Sequence, residues 1–199
     1  MNIVLASAIA LMMVCGQPLS SRGFTQDRSA TLVQEIMVSL NTLRTNPSSF
    51  IPKLRAYRDY MRSRTKNLSA LDAAITEATA RLSSVKGLPA INTNGGLLLA
   101  AQDHATDITK NAVMGHTGSN KSTPVQRVKK YSPITLIGEV VTYGFPTADL
   151  ILASFIVDQD TPDRGHRENL LNAKYTMAGV AIGAHTKYGT ACVIVLGGM

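Results

Sequence analysis

The chain has no tryptophan, four phenylalanines and two cysteines in 199 residues. A core must therefore be built mainly from Leu, Ile, Val, Ala and Met. Two cysteines exclude the dense disulfide framework on which small extracellular domains depend. Aromatics make up only 5% of the sequence, and no aromatic-rich basic motif of the kind that stacks on bases is present, so nucleic acid is not the expected partner. No G-x-S-x-G elbow, catalytic Cys–His arrangement or H-E-x-x-H helix occurs. No internal repeat or second domain is apparent. Charged residues are scarce at 17%, but hydrophobic content is 45%, which excludes a disordered chain. At this length a single domain with a genuine core is expected.

The N-terminal run over residues 3–14 is uncharged, apolar and too short to cross a bilayer. It ends in small residues, and cleavage after Gly16 would leave Val14 and Gly16 at the small-residue positions. Residues 1–16 are accordingly predicted to be a secretory signal, although no Lys or Arg precedes the apolar run. Cys15 follows Met13-Val14, a poor match to a lipoprotein box. With the signal removed, Cys192 is the sole cysteine, lies in an apolar run and is expected to be a buried, inert thiol. The mature protein is then extracellular.

The net charge of +7 is concentrated over residues 53–66, which carry Lys53, Arg55, Arg58, Arg62, Arg64 and Lys66. A solvated helix face accounts for this most simply. The same segment is the candidate for attraction to an anionic surface, lipid or glycan.

Residues 17–30 read as a loose polar segment. Leu32, Ile36, Leu40 and Leu43 then recur at helical spacing, and that helix must stop before Asn46-Pro47. Pro52 opens a second helix. A third is expected from Ser69, with Ser69 and Asp72 as a capping box. Residues 87–96 read as a loop. A strong helix follows from Leu97 to about Val113, then a short one from Pro124 capped by Thr123, and another from Ala148 capped by Thr147. Residues 175–185 and 190–198 are β-branched and bounded by turns, a hairpin pattern, and 134–144 supplies a third strand. Both strand faces are apolar, with Val180 and Ile182 on one and Met177 and Ala181 on the other. A sheet of this kind is covered on both sides. The predicted fold is α+β, a three-layer α-β-α sandwich with a small antiparallel sheet between helices.

Four histidines are present, and two of them, His116 and His166, sit beside glycines at loops. Imidazoles so placed are candidate metal ligands or acid–base groups. Glu139 and Asp158 lie in apolar surroundings, where a carboxylate needs a cation or donors to stay ionised. His104 falls on an apolar helical stripe and His185 at the hairpin turn, both structural positions.

The segments "LLLAAQDHATDI" (97–108), "GHTGSNKSTPVQRV" (115–128), "IGE" (137–139), "FIVDQDTPDRGHRENLL" (155–171) and "MAGVAIGAH" (177–185) occur in the order found in the CAP superfamily, which the chain resembles from about residue 88 onward. "LNTLRTNP" (40–47) is similar to the family's opening helix, and residues 52–86 to an insertion in some branches. The domain would then span 31–199. The resemblance implies an α-β-α sandwich and a cavity lined by two histidines and two acids: His116, Glu139, His166 and a fourth group. Asp158 stands near the usual fourth position but is one methylene shorter, with Glu168, two residues after His166, as the competing acid. Val140 replaces an asparagine of the family motif. Arg167 and Asn169 are candidates to brace the loop around His166.

The resemblance implies a secreted binding module that holds a divalent ion, with Zn²⁺ between His116 and His166 as the candidate, or a lipid or sterol, and that engages another extracellular molecule. A second reading is a hydrolase, either metal-assisted or using Ser119 or Ser122 beside His116. A third is an adhesive surface protein acting through the basic helix. Asn67 and Asn120 stand in glycosylation sequons.

Overall fold

In the computed structural model the backbone is described for residues 21–198 and side chains for residues 27–198. The signal expected over 1–16, including Cys15, lies outside the described residues. Eleven regular elements follow in order: α1 (Ser21–Thr45), α2 (Ile51–Met61), α3 (Leu68–Ser84), β1 (Asn92–Thr93), α4 (Gly95–Asn111), α5 (Pro124–Lys129), β2 (Leu136–Tyr143), α6 (Ala148–Val157), α7 (Gly165–Leu170), β3 (Met177–His185) and β4 (Gly189–Gly198). A 3₁₀ turn, Pro47–Phe50, joins α1 to α2.

The strands form one sheet in the order β1-β3-β4-β2. β3 and β4 are a hairpin, and β2 pairs antiparallel with β4 across Glu139↔Val195. Side chains alternate across the sheet with period two. On β4, Cys192, Ile194 and Leu196 face a core shared with α1, α2, α3 and α6, whereas Ala191, Val193 and Val195 face α4 and Val128 of α5. Apolar residues on both faces thus dictate three layers, as the strand pattern predicts.

Three expectations need correction. The sheet is mixed, not purely antiparallel: Asn92 and Thr93, read as loop, pair parallel with Met177 and Ala178 at the far edge. The first helix is described from Ser21, so residues 21–30, part of the segment read as loose, are helical. Asn67, not Ser69, caps α3 by accepting from Ala70 N–H, and Asp72 is drawn instead to Arg58 at 2.6 Å. A bidentate guanidinium is a stronger partner for the carboxylate than one backbone amide.

Residues 52–86 are not an appendage. Leu54, Tyr57, Leu71, Ala78 and Leu82 are buried in the same core as Phe155 and Ile156 of α6. Arg44 joins the layers: it is fully buried, and its guanidinium donates to the carbonyls of Pro89, Leu170, Asn172 and Tyr175. One side chain thereby satisfies four carbonyl acceptors, three in loops and one at the end of α7, that would otherwise be orphaned inside. Cys192 is free and buried, and burial pushes its thiol pKa up, so it is inert. Among the described residues no helix is long and apolar enough to cross a membrane.

Candidate functional site

β2 is an edge strand, so the layers on its two sides can meet beyond it. Glu139 and Val141 point to the α4–α5 side, Val140 to the other, where it is fully buried in the core. The loop after α4 arrives from one side and the α6–α7 loop from the other. Each brings one histidine.

α4 ends on Ala112 in the left-handed conformation, and Gly115 also takes positive φ, so the chain doubles back. Two bonds pin the turn. Gly115 N–H donates to the Tyr143 hydroxyl at 2.9 Å, and the Gly115 carbonyl lies 2.7 Å from His104 Nε2. His104 is therefore the buried anchor of the loop, and burial lowers its pKa. The turn delivers the His116 ring to Glu139, with Nδ1 2.9 Å from Oε1.

Glu139 is buried to within 1% of its side chain, and imidazole alone does not compensate it. Arg127 of α5, equally buried, donates through Nη2 to Oε2 at 2.8 Å, to Oε1 at 3.1 Å and to the His116 carbonyl at 2.9 Å. A buried carboxylate persists ionised only with such a partner. Arg127 escaped the sequence reading. The signal was present: Arg127 and Val128 follow Thr123-Pro124 at the spacing that turns a helix inward, and Glu139 required a cation.

On the other side α6 stops at Asp158, which takes the left-handed conformation (φ 49°). That turn swings the short carboxylate back toward α7. Its Oδ2 accepts from His166 N–H at 2.9 Å, and Oδ1 lies 2.7 Å from His166 Nδ1. Asp158 thus reaches the site despite the missing methylene, because its own backbone forms the turn. Burial opposes its ionisation, but hydrogen bonds from His166 and Thr161 outweigh this and hold the carboxyl below the ordinary range.

The carbonyls exposed at the end of α6 are closed by two arginines. Arg167 donates to Ile156 O and Val157 O, and Arg164 to Asp158 O at 2.6 Å. Glu77 of α3 clamps both, Oε1 to Arg167 at 2.6 Å and Oε2 to Arg164 at 2.8 Å. Arg167 braces the His166 loop through the end of α6, whereas the Asn169 side chain accepts from the Tyr175 hydroxyl at 3.4 Å. These arginines hold the Glu77 carboxyl below its usual range. A folded-state value below the unfolded one adds stability above pH ~4.3, which is lost as pH falls through the folded value. Glu77→Gln is expected to cost about 1 kcal/mol at pH 7, discounted because Glu77 is half exposed, and less at pH 3. Thermal melts of both proteins at the two pH values measure this, and an equal deficit at both would refute it.

The two rings stand 6.2 Å apart between centroids, with planes tilted by 34°. Each Nδ1 is engaged by a carboxylate, which orients the ring and leaves Nε2 for a ligand. The His116 side chain is 46% exposed and that of His166 24%, so both remain reachable. Imidazole nitrogens bind Zn²⁺ at about 2.0–2.1 Å, and His116 and His166 would be the two residues to hold such an ion. The donor set fits a divalent ion only as an open site. No group of three or more His, Cys, Asp or Glu among the described residues is placed to hold a metal. Both Glu139 oxygens accept from Arg127, and Oε1 also faces His116 Nδ1, so in this arrangement Glu139 positions the His116 ring.

Glu168, the competing acid, points outward to Arg81 at 3.2 Å with half its side chain exposed. His185 accepts from Lys187 N–H and Tyr188 N–H at the hairpin turn. Ser119 donates to Asp107 at 2.6 Å, and Ser122 is bound through Arg127, so neither hydroxyl is a partner of the His116 ring. Among the described residues, no Ser–His116 pairing forms at Ser119 or Ser122.

With an edge-strand site of paired acid–imidazole groups inside an α-β-α sandwich, the class is defined. The profile of CAP, the cysteine-rich secretory protein family, matches residues 40–196, and the chain belongs to that family. No curated protein matches the chain. Among solved structures, an outer surface protein of Borrelia burgdorferi is similar at 20% identity, over 67% of this chain and 96% of its own, with TM-score 0.48. An extracellular SCP-domain protein of Bacillus anthracis is 20% identical over 65% of this chain (TM-score 0.46). A cysteine-rich secretory protein of Staphylococcus aureus is 19% identical over 68% (TM-score 0.43). This chain spans 39% and 40% of the length of the latter two.

Proposed function

We propose that the chain is an extracellular CAP binding module whose His116–His166 pair takes a divalent cation, with Zn²⁺ the best chemical match. One observation carries the reading: two imidazoles face each other at 6.2 Å, each oriented by its own buried carboxylate. Imidazole nitrogen suits Zn²⁺, and a carboxylate behind the ring raises its basicity. With only two protein ligands, water or a partner's side chain completes the shell, which favours a binding role over stable structural zinc.

The test is calorimetric titration of Zn²⁺ into the wild type and into the His116→Ala/His166→Ala variant. The wild type is expected to bind one equivalent, and the variant to lose affinity by at least a hundredfold. Identical isotherms would remove the metal from the account.

The basic segment supports a secondary contact with an anionic surface. Lys53 is committed to Asp149 and Arg58 to Asp72, which leaves Arg55, Arg62 and Lys66 exposed on α2 and the turn after it.

A further inference from the structure

Beside His166 lies a recess of about 380 Å³ between α2, the end of β2, α6 and the β3–β4 turn. The volume is in the range of small-molecule sites, about 300–1,000 Å³. Its walls are unusual for this chain. Six Tyr and four Phe serve the whole protein, yet Tyr57, Tyr143, Phe145, Phe155 and Tyr188 all line this one space. The rings also touch one another, Tyr57 against Phe145 at 5.7 Å and Tyr143 against Tyr188 at 5.8 Å.

The fixed charges lining the recess are both acidic; the His166 ring bound to Asp158 also lines it, and Lys187 Nζ stands 5.1 Å from the Tyr188 ring centre. Asp158 and Asp160 contribute carboxylates, while no Lys or Arg lines the recess of a protein with net charge +7. The nearby guanidiniums are occupied elsewhere: Arg58 binds Asp72, Arg164 binds Glu77, and Arg64 lies over the outer Tyr60 ring at 3.9 Å. The field of the two carboxylates reaches across the space, since both oppose ionisation of the Tyr57 hydroxyl after burial has already raised its pKa.

We infer that this recess is a binding site for a small organic ammonium, held by aromatic faces and by the carboxylates of Asp158 and Asp160. Aromatic quadrupoles attract a cation within about 6 Å of the ring centre, and a quaternary ammonium sheds water easily enough to enter such a cage. An anion is repelled by the same carboxylates. A neutral apolar molecule gains the ring contacts but not the charge term.

The recess adjoins the proposed zinc pair, because His166 and its partner Asp158 line it while His116 does not, so EDTA is used to separate the two readings. Choline and its uncharged carbon isostere, 3,3-dimethylbutan-1-ol, are titrated into the full chain with EDTA present, followed by calorimetry and by amide shifts of Met114 and Tyr188. Choline is expected to bind at millimolar concentration or better and at least tenfold more tightly than the isostere. Phe145→Leu and Asp160→Asn, with folding verified by circular dichroism, should each weaken choline at least threefold. Equal binding of choline and isostere would reduce the recess to a merely apolar pocket and overturn the inference, as would no response to 100 mM choline.

Discussion

Gly179→Ala is expected to lower the melting temperature by about 10 °C. A Cβ at this position in β3 would fall within the backbone of Leu97 and Leu98, where the first turn of α4 lies directly on the sheet. The obstruction is backbone, not the far end of a flexible side chain, so the helix itself must move. Overpacking of this kind costs about 3 kcal/mol or more, and at this chain size each kcal/mol corresponds to about 2–4 °C. The movement also propagates toward the site, because α4 carries His104 and ends at the loop that presents His116. Gly95→Ala is the control: it lies in the same helix, has open space around the added methyl and should be neutral. Scanning calorimetry of the two variants decides the matter. A loss below 3 °C for Gly179→Ala would mean that α4 is free to slide.

Arg127→Met should destabilise the fold by about 3–5 kcal/mol, because Glu139 is left as a buried carboxylate with only His116 for company. The informative comparison is Arg127→Met/Glu139→Leu. With neither charge buried, most of the stability should return, giving a coupling energy well above the error of urea denaturation. Zinc affinity should separate from stability in the same pair: the double variant refolds the core but leaves the His116 ring unoriented, so its zinc binding stays weak. Additive single effects in the cycle would show that the two side chains act independently and would refute the pairing.

Much of the site was legible before any coordinates. Two histidines beside glycines and two carboxylates in apolar runs stood out from their neighbours in the chain, and the resemblance carried by five ordered segments implied that they share one cavity. The residues that were missed share a cause. Arg127, Arg164 and Glu77 act through partners 12, 6 and 87 positions away, at distances that no local period marks. Glu168 was attractive because it adjoins His166, but on the six-residue helix α7 its side chain points outward to Arg81. Asp158 looked too short because reach was judged from side-chain length. A left-handed backbone turn supplied the missing distance.

Local patterns are written by periodicity and by caps, so the sequence by itself determined the helices at Pro124 and Ala148, the C-terminal hairpin and a sheet apolar on both faces. Those patterns require only neighbours along the chain and the exclusion of water. Which carboxylate receives which imidazole, which arginine closes the end of α6 and which aromatic rings share one recess were decided by the tertiary structure alone. These pairings are set where layers meet around the edge of β2, and the groups that meet there are brought together by packing of the two cores, not by their separation in the chain.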